Sequence, residues 1–273
     1  MKDIKYVNSA GVVLDLLKPP YMLQTGDLFD YHWEYSTSND SNIVGFSKKV
    51  SEKSLTLSIL NYSKSSYYAS IDHFFETTEY DVVHNSPGRL CVGEQFLRGY
   101  IISSKKTEWE DDIELLDNDI SIVTDHPYWL TERPFYFKSG QILSTNNKRY
   151  AGRYAYRYAN GLTSASITND HYTECNFRLI IYGPCTNPTV YIGGYAYSFK
   201  IVLEEGEYLE VDSAAETVTK YMVSGIQVNA FNNRDFANSV FRPIQTGRRE
   251  VNWNGRFDFD VILLVERSEP KWS

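Results

Sequence analysis

The residues best able to do chemistry in this chain are a histidine beside an acid, three acids near the end, and a tryptophan between two amides. His126 follows Asp125 in TDHPYWLTERPFYF, residues 124–137. As a general base it would need one partner to fix its tautomer and a nucleophile within reach. Asp125 is a poor partner, because neighbours along an extended strand point to opposite faces. Pro127 and Pro134 hold the backbone extended, and Tyr128, Trp129, Phe135 and Tyr136 offer large anchoring surface. The stretch therefore reads as a stiff, aromatic-pinned connector, with Tyr128 or Trp129 buried near a domain junction. Asp258, Asp260 and Glu266 raise the question of glycoside cleavage, which needs two acids in one cleft. Alternation with Phe257, Phe259, Val261, Leu263 and Val265 explains Asp258 and Asp260 as the solvent side of a strand. For recognition, an exposed Trp253 would stack a sugar ring while Asn252 and Asn254 bond its hydroxyls. The competing reading is a turn followed by a core Trp. RYAYRY, residues 153–158, is a second candidate of this kind.

Other chemistries lack their signatures. The five histidines are scattered, without an HExxH pair to hold zinc. No GxSxG elbow, GxxxxGK[ST] loop or GxGxxG turn is present. EWEDDIE, 108–114, has no His or Gly-bearing loop to complete a coordination pattern, and reads as a solvated edge. No catalytic, cofactor or metal residue is assigned, and the chain is expected not to be an enzyme. A net charge of −8 disfavours broad phosphate-backbone binding. Cys91, Cys175 and Cys185 are odd in number and widely spaced, so they read as buried thiols made in a reducing compartment. A Cys175–Cys185 bridge across one loop is the conceivable exception. GVVLDLL, 11–17, is broken by Asp15 and followed by Lys18-Pro19-Pro20, unlike a signal segment or a membrane span.

The elements that must position these residues are mostly strands. LTLSILNY (55–62), EQFLRGYIISS (94–104) and DNDISIVTD (117–125) show the period of two, with Phe96, Tyr100 and Ile102 expected on one face. SSYYASIDHFFETTE, 65–79, instead spaces Tyr67, Tyr68, Ile71, Phe74 and Phe75 helically after Ser65 or Ser66 as N-cap. From residue 138 the chain turns rich in Gly, Ser, Asn and Tyr, which puts a boundary near 135 between domains 1–135 and 136–273. Strands follow at 174–183, 194–203, 207–211, 216–222 and 256–266, with Gly206 and Gly255 at turns, the spacing of an antiparallel β sandwich.

YVNSAGVVLDLLKPPYMLQTGDLFDYHWEY, DVVHNSPGRLCVGEQFLRGYI, DISIVTDHPYWL and the run from GGYAYSFKIVLEEGEYLEV to FDFDVILLVERSEPKW together resemble the distal tail proteins of long-tailed bacteriophages with flexible tails. The order of these loose motifs spans nearly the whole chain. The resemblance implies a mainly β protein, with a β-rich ring-forming domain carrying one helix, followed by a galectin-like sandwich. It implies a homo-hexamer joining the tail tube to a tail-tip or receptor-binding protein, with DNA passing through the lumen and no insertion into a membrane. It places the protein in the virion, after assembly in the bacterial cytoplasm. The terminal ERSEPKWS is then expected to pack back near the ring domain. The alternative is a carbohydrate-binding module or adhesin for bacterial surface polysaccharide. The fold does not by itself confer sugar binding, because function resides in the site.

Overall fold

Period-two patterning dominates the sequence, and strands make up most of the regular structure. The computed structural model describes residues 3–38, 42–110, 114–140 and 163–272. Two compact units divide the chain, Met1–Thr131 with Glu266–Ser273, and Glu132–Val265. The division falls between Thr131 and Glu132, near the sequence boundary at 135 and inside the strand Trp129–Phe137, so the stretch read as a connector is a strand that carries the chain from one unit into the other. The closing residues count with the first unit, although the boundary alone assigned them to the second.

The first unit contains β1 (Ile4–Val7), β2 (Val13–Asp15), β3 (Tyr21–Gly26), β4 (Glu34–Ser38), β5 (Asn42–Ser47), β6 (Ser51–Leu60), α1 (Lys64–Val83), β7 (Gly88–Val92), β8 (Gln95–Glu110) and β9 (Leu115–Thr124). β10 (Trp129–Phe137) begins there. Neighbours run β2-β1-β7-β8-β9-β6-β3, all antiparallel. β8 is the hinge of this order: Gln95–Gly99 pairs with β7, and Tyr100–Glu110 with β9. Gly99 is required at the changeover, since a Cβ there would lie 2.6 Å from the Val123 carbonyl oxygen. A register shift between Ile101 and Ser103 breaks the expected Phe96–Tyr100–Ile102 face, leaving Ile101 buried and Ile102 exposed.

α1 is the one α-helix among the described residues, capped by Ser63, whose side chain accepts from the Ser66 amide. It starts before the expected residue and runs four residues longer than the 65–79 pattern. Tyr67 and Phe74 enter the core with Leu14, Leu57, Leu97, Ile122 and Trp129. Asp81, fully buried on the same side, accepts from the Tyr6 hydroxyl (2.5 Å) and the Ser9 amide (2.7 Å), and so ties helix to β1. Gly88 is packed against that pair, because a Cβ there would overlap Tyr6 Oη and Asp81 Oδ2. Trp272 stacks on Phe29 (4.1 Å), and the Lys271 amide donates to Gln95 Oε1 (2.5 Å), both within this unit.

The second unit adds β11 (Thr163–Asn169), β12 (Asn176–Tyr182), β13 (Cys185–Thr186), β14 (Thr189–Ile192), β15 (Tyr195–Ser198), β16 (Val202–Leu203), β17 (Tyr208–Asp212), β18 (Thr217–Tyr221), β19 (Gln227–Asn229), β20 (Gly247–Trp253) and β21 (Phe259–Arg267). Two sheets, β19-β18-β17-β12-β21-β10 and β11-β20-β14-β15, contribute inner residues to a single core. Phe177, Leu179 and Ile181 from the first sheet and Ile167, Val190 and Val251 from the second are fully buried. The sandwich read from strand spacing is present. The strand expected over 194–203 is two short ones, because β15 pairs with β14 and β16 pairs with β13. Gly206 and Gly255 take φ of 81° and 71°, as turns of this kind require. Cys91, Cys175 and Cys185 are free thiols.

Candidate interaction surfaces

Trp253 is a core residue. It is 1% exposed, its indole N–H donates to the Phe257 carbonyl (3.2 Å), and its ring meets Phe259 (5.1 Å) and Phe137 (5.8 Å) edge-on. It thus has no free ring face for a sugar, and the Asn252–Trp253–Asn254 expectation loses its stacking platform. The cause is alternation: Val251 and Trp253 close β20 on its inner face. Asn252 is half-buried and faces the other way, while Asn254 is exposed and accepts from the Arg256 amide (3.0 Å). RYAYRY lies outside the described residues, as do residues 111–113 of EWEDDIE.

The acids do not form the solvent face expected of them. Asp260 is 9% exposed and accepts from the Tyr182 hydroxyl (2.8 Å), and Phe259–Val265 is buried apart from Ile262, so neither face of β21 is a solvent face. Burial, and then this carboxylate, push the Tyr182 phenol well above its ordinary range. Asp258 accepts from the Ser139 amide (2.6 Å) and pairs with Lys138 (3.2 Å). Those contacts, the amide first, hold its carboxyl below the usual range. Glu266 belongs to the first unit, where its Oε1 lies 3.2 Å from His126 Nε2. The partner of His126 is thus a residue 140 positions away, which neighbour-based reasoning does not find. Trp129 is 1% exposed in the first unit's core, as the aromatic pinning requires.

Two surfaces of the first unit stand out by their chemistry. β4 and β5 pair only with each other among the described residues, and present Tyr35, Ile43, Val44 and Phe46 at 58–67% exposure. Tyr35 sits directly opposite Phe46 in the ladder. An isolated two-stranded ribbon with such residues in water is marginal by itself. Its base is fixed by the Lys49–Glu34 ion pair (2.6 Å) and by Lys48, which donates to the Pro127 carbonyl (3.0 Å). The Lys48 ammonium also lies 4.5 Å from the Tyr128 ring centroid, 4.9 Å from Trp33 and 5.6 Å from Tyr31. Burial, and then neighbouring Lys53, hold this ammonium below its ordinary value. The second surface is on α1, where Tyr68, Phe75 and Val82 recur every seven residues along one edge and remain exposed. Tyr62, just before the helix, is 94% exposed. The alternating apolar residues of NIVGF were the available signal for the ribbon. The 65–79 pattern contains Tyr68 and Phe75 at helical spacing, without separating them from the buried Tyr67 and Phe74.

Among the described residues no group of three His, Cys, Asp or Glu side chains could hold a metal ion, and no helix is long and apolar enough to cross a membrane. No family model matches the chain, and no curated protein matches it. Solved structures do share its fold over almost its full length. A chain of the phage P2 baseplate, in its activated conformation with calcium, superposes with a TM-score of 0.63 at 14% identity, covering 99% of this chain and 100% of that one. The strontium form of the same baseplate gives 0.64 at 15%, with the same coverage. The Dit protein of phage SPP1, described as a paradigm of the hub adsorption apparatus in phages infecting Gram-positive bacteria, gives 0.56 at 8% over 96% of this chain and 98% of that one. At these identities the fold is what is shared.

Proposed function

We propose that this chain is a structural protein of a phage tail tip, closing into a hexameric ring that joins the tail tube to the tail-tip or receptor-binding apparatus. The observation that carries the reading is the end-to-end likeness to baseplate and hub chains, which spans both units of this chain instead of one. A sandwich alone would be compatible with many roles.

The first unit's surface fits this reading. A closed ring is built from head-to-tail contacts, so each subunit needs two different patches that bind each other. The β4–β5 ribbon and the Tyr68–Phe75–Val82 edge of α1 are two apolar patches of different shape. Aromatic residues are favoured at such contact centres. A lumen that passes DNA must not grip phosphates, and a net charge of −8 agrees with that. The second unit would be the outward, galectin-like domain, available to receptor-binding proteins. With Trp253 in the core, the adhesin alternative has no platform at its candidate site. Mass photometry and negative-stain imaging of the full chain test the proposal. The expected result is a particle of six chains with a central hole. A strict monomer at high micromolar concentration, even with assembled tail tube added, would overturn it.

A further inference from the structure

The second unit contains two arginines that line one small cavity and have no carboxylate partner among the described residues. Arg242 and Arg249 share the walls with Gly193, Tyr195, Tyr197 and Gln245, and the volume of this open recess is about 60 Å³. A single water needs roughly 10–15 Å³ on such a measure, so the space suits a group of a few heavy atoms. No acidic side chain lines it. Glu250, next along β20, is exposed and alternates to the other face.

The Arg249 guanidinium is held before any ligand arrives, and Arg242 lies against a fixed ring. Arg249 donates through Nη2 to the Thr246 carbonyl (2.5 Å), and its side chain lies over Gly193, where a Cβ would come 3.2 Å from Cδ. Its Nε is shielded from solvent and has no acceptor. An unpaired buried donor is costly, and a solvated surface arginine would not incur that cost. Arg242 lies 4.6 Å from the centroid of the Tyr195 ring. That ring is fixed by its hydroxyl, which donates to the Ser239 carbonyl (3.0 Å), and the Tyr197 hydroxyl donates to the carbonyl of Arg242 itself (2.8 Å). The arrangement is a doubly cationic recess in a chain of net charge −8.

We propose that this cavity binds a phosphoryl group, as free phosphate or as a phosphodiester of an anionic polymer, held between Arg242 and Arg249. One fork-shaped guanidinium saturates a carboxylate, whereas a tetrahedral phosphoryl group offers oxygens to two at once. The site is independent of ring formation, and either result leaves the proposed assembly untouched.

The test is a ³¹P NMR titration of inorganic phosphate with the full chain at low salt, repeated with a soluble glycerol-phosphate polymer as competitor. Saturable binding is expected, weakened about tenfold by Arg242→Gln and by Arg249→Gln. Arg234→Gln is the control, since that guanidinium is stacked between Phe231 and Phe236 and lies outside the cavity; it should leave binding unchanged. If Arg249→Gln fails to fold, the exposed Arg242 still decides the matter. Competition by polymer at lower concentration than phosphate, counted per phosphate, identifies the phosphodiester source, and equal potency identifies the free ion. Absence of saturation at low millimolar phosphate, wild-type affinity in Arg242→Gln, or displacement by acetate on equal terms would overturn the proposal.

Discussion

The two units differ in how their exposed aromatic residues are arranged. In the second, Phe137, Phe177, Trp253, Phe257 and Phe259 pack on one another inside a sandwich, and Tyr197 meets Phe177 edge-on at 5.2 Å. In the first, Tyr6, Tyr67, Phe74 and Trp129 are buried, but Tyr35, Phe46, Tyr68 and Phe75 are left in water on elements that have their own regular hydrogen bonding. Buried aromatics contribute to stability through area removed from water and through edge-to-face contacts. Exposed ones contribute nothing to the fold until something covers them. Both units leave apolar residues in water, the second at Tyr136, Tyr172, Val223, Ile226 and Phe236, but in the first they face each other across one ribbon and repeat along one helix edge.

The largest effect expected from this contrast belongs to Trp253→Ala. Removing a fully buried Trp that touches two other rings should cost about 3–5 kcal/mol. The loss should be confined to the second unit, so hydrogen exchange should accelerate in β12, β17, β20 and β21 while β1, β6 and α1 keep their protection. Equal acceleration in both units would show that they unfold together, and the comparison would lose its force.

A smaller change in stability, with a larger one in assembly, is expected for Tyr35→Ser combined with Phe46→Ser. Exposed substitutions away from caps and cores usually stay within about 0.5 kcal/mol, so the thermal transition of the isolated chain should barely move. If the ribbon is a contact centre, self-association should weaken by about thirtyfold, the scale of a lost hot spot of about 2 kcal/mol. Sedimentation velocity over a concentration series separates the two readouts. Unchanged association would mean that the exposed aromatics of the first unit are ordinary surface.

The legibility of this molecule in its sequence follows the same division. Strands that alternate cleanly, such as β9 and β12, were found within two residues, because one inner face and one outer face leave a period of two. β21 was found as a strand but misread at Asp260, since a strand covered on both sides gives no reason for a polar residue to be outside. The short strands β13, β14 and β16 span too few residues for periodicity to register. Tyr68 and Phe75 fit the helical spacing along with buried Tyr67 and Phe74, because sequence gives the spacing of apolar residues and says little about which neighbouring stripe is left uncovered. At the candidate site, Trp253 was legible only as a choice between core and platform, and burial decided it. The His126–Glu266 pair and the recess of Arg242 and Arg249 depend on tertiary placement, with 140 residues separating the first pair.

Alkaline pH offers the finest division between the units, since each has a deeply buried tyrosine. Burial, and for Tyr6 also the hydrogen bond and charge of Asp81, push the Tyr6 phenol in the first unit above its ordinary value of 10.0. Burial, and then neighbouring Tyr195, do the same for Tyr197 in the second. Below pH 10 the folded and unfolded chains both keep these protons, and neither phenol makes stability depend on pH. Above pH 10 the unfolded chain releases a proton that the folded chain retains, so stability falls as pH rises, by about 1.4 kcal/mol per pH unit for each such tyrosine. Tyr6→Phe should remove one proton's worth of slope from the first unit's denaturant midpoint, measured between pH 10 and 11 by a local probe. Tyr197→Phe should do so only in the second unit. Tyr6→Phe also leaves Asp81 short of a donor, which should lower first-unit stability by about 1–3 kcal/mol at neutral pH. The test therefore rests on the slope rather than on the absolute midpoint. An unchanged slope in both variants would show that these hydroxyls ionise in the folded state as they do in water, and would overturn the division.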